Sequence, residues 1–232
     1  MPEEHNRRLT DHLSAMLFAP TERAAANLRG EACWGAIHVT GNTVIDACLR
    51  YGPKAAQSPI LKEIPFERFA LATAHRAENV DDPRVLREFL RIFMECPIPV
   101  VYPIHPRTMD RFRREGLAGK LETSANVRLL PPVGYLEFLA LLMRCAFVLT
   151  DSGGIQEEVT APNVRKKAFV LRESTERPEA VEAGFAEVVG TDADAVLPHL
   201  CKFQEGRWTP PTVCPFGDGT AGRRIVDALL KS

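Results

Sequence analysis

An α/β fold with a parallel sheet covered on both faces follows from three observations on the 232-residue chain. Short β-rich runs recur along its length, at 17–21, 36–40, 68–74, 99–104, 126–130, 146–150, 167–172 and 186–190. Stretches of helical period lie between them, at 83–95, 106–115, 135–144, 154–160 and 178–183. The runs themselves, such as "AFVLT" and "PVVYPI", are apolar instead of alternating, as strands buried on both faces must be.

Taken in order, the elements divide unevenly. "PEEHNRRLTDHL" predicts a helix with Leu9, Leu13, Met16 and Leu17 facing a core. Glu3 and Arg7 stand four apart on one helix face, the spacing of an ordinary ion pair. Residues 1–50 supply one helix and two strands, too little to bury a core alone. Prolines among small and charged residues make 51–65 a linker. The main α/β domain then runs over 66–216, and 217–232 forms a C-terminal helix.

Bulk properties exclude several classes. With 45% hydrophobic and 25% charged residues and a net charge of -1, the chain lacks the basic excess of a general nucleic-acid binder. Six cysteines occur with no C-x-x-C spacing, and Cys48, Cys96 and Cys145 lie among apolar residues. Reduced, packed thiols and a cytoplasmic location follow. The opening "MPEEHNRR" is not a signal peptide. The longest apolar stretch, "FLALLMRCAFVL", is broken by Arg144 and is too short to span a bilayer, so no membrane partner is expected. Neither H-E-x-x-H nor a Cys/His pairing is present, and no metal or other cofactor is expected.

In an open α/β sheet, ligands bind at the loops beyond the carboxyl ends of the strands. "DSGG" (151–154) ends one strand and opens a helix. Its glycines let an anion approach the free N–H groups at a helix start, and Ser152 adds a hydroxyl. The plainer reading is a tight turn capped by Asp151 or Ser152. Glu158, one turn deeper than Gly154, is placed to accept two sugar hydroxyls or is simply a solvated carboxylate. In "RESTERPEAVEAG", Ser174 or Thr175 caps, Pro178 starts the helix, and Arg177 projects from the loop. Arg177 either clamps a phosphate or pairs with Glu176 or Glu173. "TAHRAEN" sets His75 and Arg76 just past a buried strand, and "YPIHPRT" sets His105 in the next unit's equivalent loop.

Together, "PEEHNRRLTDHLSAMLFAPTERA", "IHVTGNTVIDA", "TAHRAEN", "YPIHPRT", "TDSGGIQEE", "ESTERPEAVEAG" and "PFGDGTAGRRI" resemble, in order, signatures of the UDP-N-acetylglucosamine 2-epimerases. The resemblance implies a Rossmann-like parallel sheet, the C-terminal half of a GT-B-type two-domain fold, with UDP held by that half. It implies that Ser152, Gly153 and Gly154 bind the diphosphate, that Glu158 holds the ribose, and that Arg177 serves the phosphates. It places His75 near the diphosphate and Glu3 and Arg7 near the reacting sugar. Arg76 and His105 match a second, activating UDP-sugar site of some relatives.

The implied chemistry converts UDP-GlcNAc to UDP-ManNAc by eliminating UDP to a 2-acetamidoglucal and re-adding it. Two other outcomes remain open: a hydrolysing epimerase giving ManNAc and UDP, and a non-catalytic nucleotide-sugar-binding subunit. Relatives begin with another Rossmann-like half that is absent before Met1, so the expectation is a truncated UDP-binding half, inactive alone. That missing domain or its separate equivalent is an expected partner, as is a second copy in a homodimer. Val133 stands where relatives often carry a glutamine.

Overall fold

A computed structural model describes residues 2–231, the side chains of Pro2 and Glu3 excepted. Helix α1 (Pro2–Leu13) leads into strand β1 (Met16–Ala19), and α2 (Glu22–Gly30) connects it to the parallel strand β2 (Ala36–Val39). Helix α3 (Thr43–Ala55) and a short 3-10 turn (Pro59–Glu63) lead to the main sheet. Its strands are β3 (Ala70–Thr73), β4 (Val100–Pro103), β5 (Val127–Leu130), β6 (Phe147–Thr150), β7 (Lys167–Val170) and β8 (Ala186–Val188). The helices between and after them are α4 (Ala77–Val80), α5 (Pro83–Glu95), α6 (Pro106–Arg114), α7 (Ala118–Thr123), α8 (Tyr135–Arg144), α9 (Gly153–Glu158), α10 (Pro178–Glu182), α11 (Ala193–Glu205) and α12 (Ala221–Leu229).

All six strands are parallel, in the order β5-β4-β3-β6-β7-β8. The chain builds outward from β3 in one direction, then returns to lay β6 on the other side of β3. Successive crossovers therefore diverge between β3 and β6, which opens a crevice at their carboxyl ends.

Two apolar layers cover the sheet. On one face, α5 contributes Leu86, Phe89, Leu90 and Phe93 at helical spacing. Phe147, Phe169 and Phe203 pack edge-to-face there, with centroids 5.4 to 5.5 Å apart. On the other face, Leu139, Leu141 and Leu142 of α8 meet Ile45, Cys48 and Ala55 of α3. The cysteines are free, and burial pushes the thiols of Cys48, Cys96 and Cys145 up to about 12.

Two expectations are corrected. Segment 51–65 is not an irregular linker: its first part completes α3, and Ala55, Ile60 and Ile64 are buried. Proline at 53 is accommodated in the last turn of the helix, and Gly52 lets Asn163 Nδ2 reach the Cys48 carbonyl at 2.8 Å. Leu9 and Leu13 do not face a core; they are 63% and 80% exposed, because α1 lies on the outside. Met16 and Leu17 belong to β1.

The C-terminal segment returns to the N-terminal unit. Asn42 N donates to Phe216 O at 2.8 Å, and Asp46 accepts from the first amides of α12, Ala221 and Gly222, at 3.1 and 2.9 Å. Gly41 (φ 87°) and Gly217 (φ 114°) make the backbone crossing possible, since a Cβ on Gly217 would lie 3.2 Å from Gly41 Cα. No helix among the described residues is long and apolar enough to cross a membrane.

Candidate functional site

The turns after β3 and β6 face each other across the crevice. Asp151, fully buried at the end of β6, turns its carboxylate toward the other turn and accepts from the backbone N–H of His75 (3.0 Å) and Arg76 (2.9 Å) and from Asn79 Nδ2 (3.2 Å). Tyr102 on β4 fixes the same turn from the far side by donating to Ala74 O at 2.7 Å. Such bonds to a buried carboxylate are strong, so the turn that carries His75 and Arg76 is held in one position. Asp151 is thus a tether, not the cap of α9. Ser152 occupies the N-cap position, and its hydroxyl makes no capping bond. Helix α9 begins with N–H groups that have no partner one turn back.

Around those groups, cations converge. A methyl on Gly153 would lie 3.6 Å from Glu176 Oε2, 3.8 Å from Arg76 Nη2 and 3.9 Å from Arg177 Cζ. Gly154 is exposed, and only Ser152 Oγ comes within 4 Å of its Cβ position, at 3.9 Å. The hollow above α9 is therefore open at Gly154 and ringed by guanidinium groups at Gly153. One anion already sits there. Glu176 accepts from Arg172 (2.7 Å) and Arg76 (3.2 Å), and the Arg172 hydrogen bond, with Arg76 nearby, holds its carboxyl down at about 2.

Arg177 makes no ion pair with the Glu176 or Glu173 carboxylate, and its Nη1 donates instead to the Glu176 backbone carbonyl at 3.0 Å. Its Nε donates to Glu157, which also accepts from Asn42 Nδ2 at 2.9 Å. Thr175 Oγ1 accepts from Arg177 N at 3.0 Å and donates to Gln156 at 2.5 Å. Burial pushes the Glu157 carboxyl up, and Arg177 opposes that shift. Arg177 and Glu157 line a cleft of about 660 Å³ between the main sheet and the N-terminal unit. Arg7 lines the opposite wall, held by Glu4 (2.7 Å), Asp11 (2.7 Å) and Glu31 (2.6 Å). Hydrogen bonds to Glu4 first, then Glu31, hold its guanidinium far above the usual arginine range. The expected partner, Glu3, has its side chain outside the described residues.

Glu158 points elsewhere, toward α3 and α8, where its charge is felt by Cys48 and Tyr135. Its Oε2 is buried with no hydrogen-bond partner among the described residues. Burial, reinforced by Glu157, pushes the carboxyl up to about 7. His75 is half-exposed, with Nδ1 3.4 Å from Thr73 Oγ1 and 3.7 Å from Asp151 Oδ1. His105 stands one strand further out, accepts from Arg107 N at 3.3 Å and caps α6.

The structure thus brings Ser152, Gly153, Gly154, His75, Arg76 and Arg177 to one crevice, and Arg7 to its continuation. Glu158 and His105 lie apart from them. Asp151, Glu157 and Glu176 are the polar residues that sequence reasoning did not assign to these contacts. No cluster of metal-ligating side chains is found among the described residues.

A family model described as UDP-N-acetylglucosamine 2-epimerase matches residues 1–230. The chain belongs to that family. It is 38% identical to a UDP-N-acetylglucosamine 2-epimerase of Methanococcus maripaludis over 99% of its own length and 64% of the relative's. A crystal structure of the Methanocaldococcus jannaschii UDP-GlcNAc 2-epimerase in complex with UDP-GlcNAc and UDP superposes with a TM-score of 0.88 at 38% identity, covering 100% of this chain and 65% of that one. The Neisseria meningitidis enzyme bound to UDP-GlcNAc gives 0.83 at 34% identity, with 100% and 65% covered. The architecture is GT-B-like Rossmann, and the chain spans less than two thirds of these relatives.

Proposed function

We propose that residues 2–231 form the UDP-binding part of a UDP-N-acetylglucosamine 2-epimerase, with the diphosphate seated on the Ser152 hydroxyl and the amides of Gly153 and Gly154, the Ser152 amide being held by Thr150 Oγ1 at 3.0 Å. The observation that carries this reading is the convergence of Arg76 and Arg177 within 4 Å of the Gly153 Cβ position at the sheet's reversal point. Diphosphate is the group that such a set of amides and guanidinium forks recognises. Arriving diphosphate displaces the Glu176 carboxylate, a weaker single-charge occupant of the same surroundings.

The reaction has two halves. A base removes the C2 proton of the sugar as the C1–oxygen bond breaks, leaving a 2-acetamidoglucal and UDP. UDP then adds back at C1 while a proton returns to the other face of C2. Charge develops on the departing diphosphate, and prearranged amides, Arg177 and His75 stabilise it. Glu158 supplies an unpartnered buried oxygen for a ribose hydroxyl pair. Glu3 and Arg7 serve the sugar side of the cleft.

Calorimetric titration with UDP tests the assignment. Saturable binding is expected, with Arg177→Ala weakening it about tenfold or more, the worth of a charged hydrogen bond. Gly154→Ala keeps the fold, since little surrounds its Cβ position, and weakens UDP by blocking its approach. Unchanged affinity in both variants contradicts the assignment.

A further inference from the structure

A second charged hollow lies at the opposite end of the main sheet, where β3, β6 and β7 begin. Arg68, Arg144, Lys166 and Arg207 line it, together with Phe203 and Trp208, around a volume of about 490 Å³. Among the described residues, none of these four cationic side chains has a hydrogen-bond or ion-pair partner. Elsewhere on the surface some arginines find carboxylates, as Arg91 meets Asp194 at 2.6 Å and Arg107 meets Asp81 at 2.7 Å, while Arg114 and Arg128 stand singly among the described residues; what is particular here is that four cations gather. Arg144 sits in the last turn of α8, where a helix dipole favours a cation. That explains one of the four. Lys166, half-buried just before β7, and Arg68 and Arg207, in loops, have no such reason to gather.

An adjoining hollow of about 520 Å³ shares Phe203, Arg207 and Trp208 and adds Lys167, His199 and Lys202. Its carboxylate, Glu187, is already engaged by His199 at 2.6 Å and Lys167 at 3.3 Å. Glu67 shares a third hollow with Arg144 but makes no ion pair with it. The Phe203 and Trp208 rings, 5.9 Å apart, thus form a half-buried aromatic wall flanked by unneutralised cations.

We propose that this hollow binds a nucleoside phosphate, its base against Trp208 and its phosphates among Arg68, Arg144, Lys166 and Arg207. Guanidinium forks match phosphate oxygens in pairs, and an indole face stacks any base. The volume falls in the range of small-molecule pockets, roughly 300–1,000 Å³. The hollow opens at the amino ends of β3 and β6, whose carboxyl ends carry the crevice, so this is a site separate from the one proposed for UDP.

A Trp34→Phe chain leaves Trp208 as its single tryptophan, since the sequence has two. Its fluorescence is titrated with ADP, with adenosine and with inorganic diphosphate. Saturable quenching by ADP is expected at sub-millimolar concentration, with adenosine and diphosphate each about tenfold weaker. Adding Arg144→Ser, Lys166→Ser and Arg207→Ser together raises the ADP half-saturation about tenfold or more, and the UDP response read at the Gly153 and Gly154 amides stays unchanged. These are exposed or half-buried side chains without partners, so the fold survives their loss. Absence of saturable quenching up to about 10 mM ADP, an unaltered response in the triple variant, or equal half-saturation by diphosphate or adenosine overturns the proposal.

Discussion

Every residue of β3 and β6 is buried, whereas β2 buries none of its four side chains completely. The main sheet is held by two apolar layers. The β1–β2 sheet and α2, unlike α3, meet the rest through polar contacts: Thr21 to Glu179 at 2.8 Å and Arg23 to Glu182 at 2.5 Å, with Asn42 to Glu157 at 2.9 Å beside them. The N-terminal unit also leaves Leu9, Leu13 and Trp34 exposed. The difference teaches where rigidity resides. The crevice turns stand on a close-packed base and hold fixed positions, while the opposite cleft wall rests on contacts that water competes for.

The comparison breaks first at its apolar side. Phe147→Ala empties the centre of an aromatic trio and costs about 3–5 kcal/mol, read as a large shift in urea midpoint. Asp151→Ala comes next. It orphans the buried donors of His75, Arg76 and Asn79, costs about 2–4 kcal/mol and abolishes UDP binding in calorimetry, because the loop position is lost with the tether.

Glu158→Gln sharpens the comparison at the seam where α9 meets α3. The folded-state value of Glu158, about 7, lies above the ordinary 4.5, so folding favours its protonated form. Stability from this group is fully present below the unfolded value and is lost as pH rises through about 7. Denaturation should therefore find the glutamine variant more stable by up to about 3 kcal/mol at pH 8 and by under about 1 kcal/mol at pH 5. UDP binding falls at both. The smallest effect is expected from Arg23→Ala, which removes an exposed pair with Glu182 and changes thermal stability by less than about 0.5 kcal/mol.

Much of this was legible in the sequence. The eight apolar runs correspond to the eight strands, and "PRVLREFLRIFME" and "YLEFLALLMR" are α5 and α8. Helix α3 escaped because "RYGPKA" carries glycine and proline, the ordinary residues of a loop; its burial against α8 is a tertiary effect. Helix α11 likewise hides an internal proline, Pro198. At the site, "DSGGIQEE" marks a glycine turn between a strand and a helix, but adjacent carboxylates look alike in one dimension. Only packing sends Glu157 to Arg177 in the cleft and Glu158 toward Cys48 and Tyr135. Nor does the sequence reveal that Asp151 reaches across to a turn 75 residues away, since strand order is not written in a local pattern.

The most direct measurement is the amide NMR spectrum of ¹⁵N-labelled protein titrated with UDP. The amides of Gly153 and Gly154 should move downfield and saturate together, at the concentration that calorimetry gives for binding. Saturable shifts elsewhere, with those two resonances unmoved, would contradict the account.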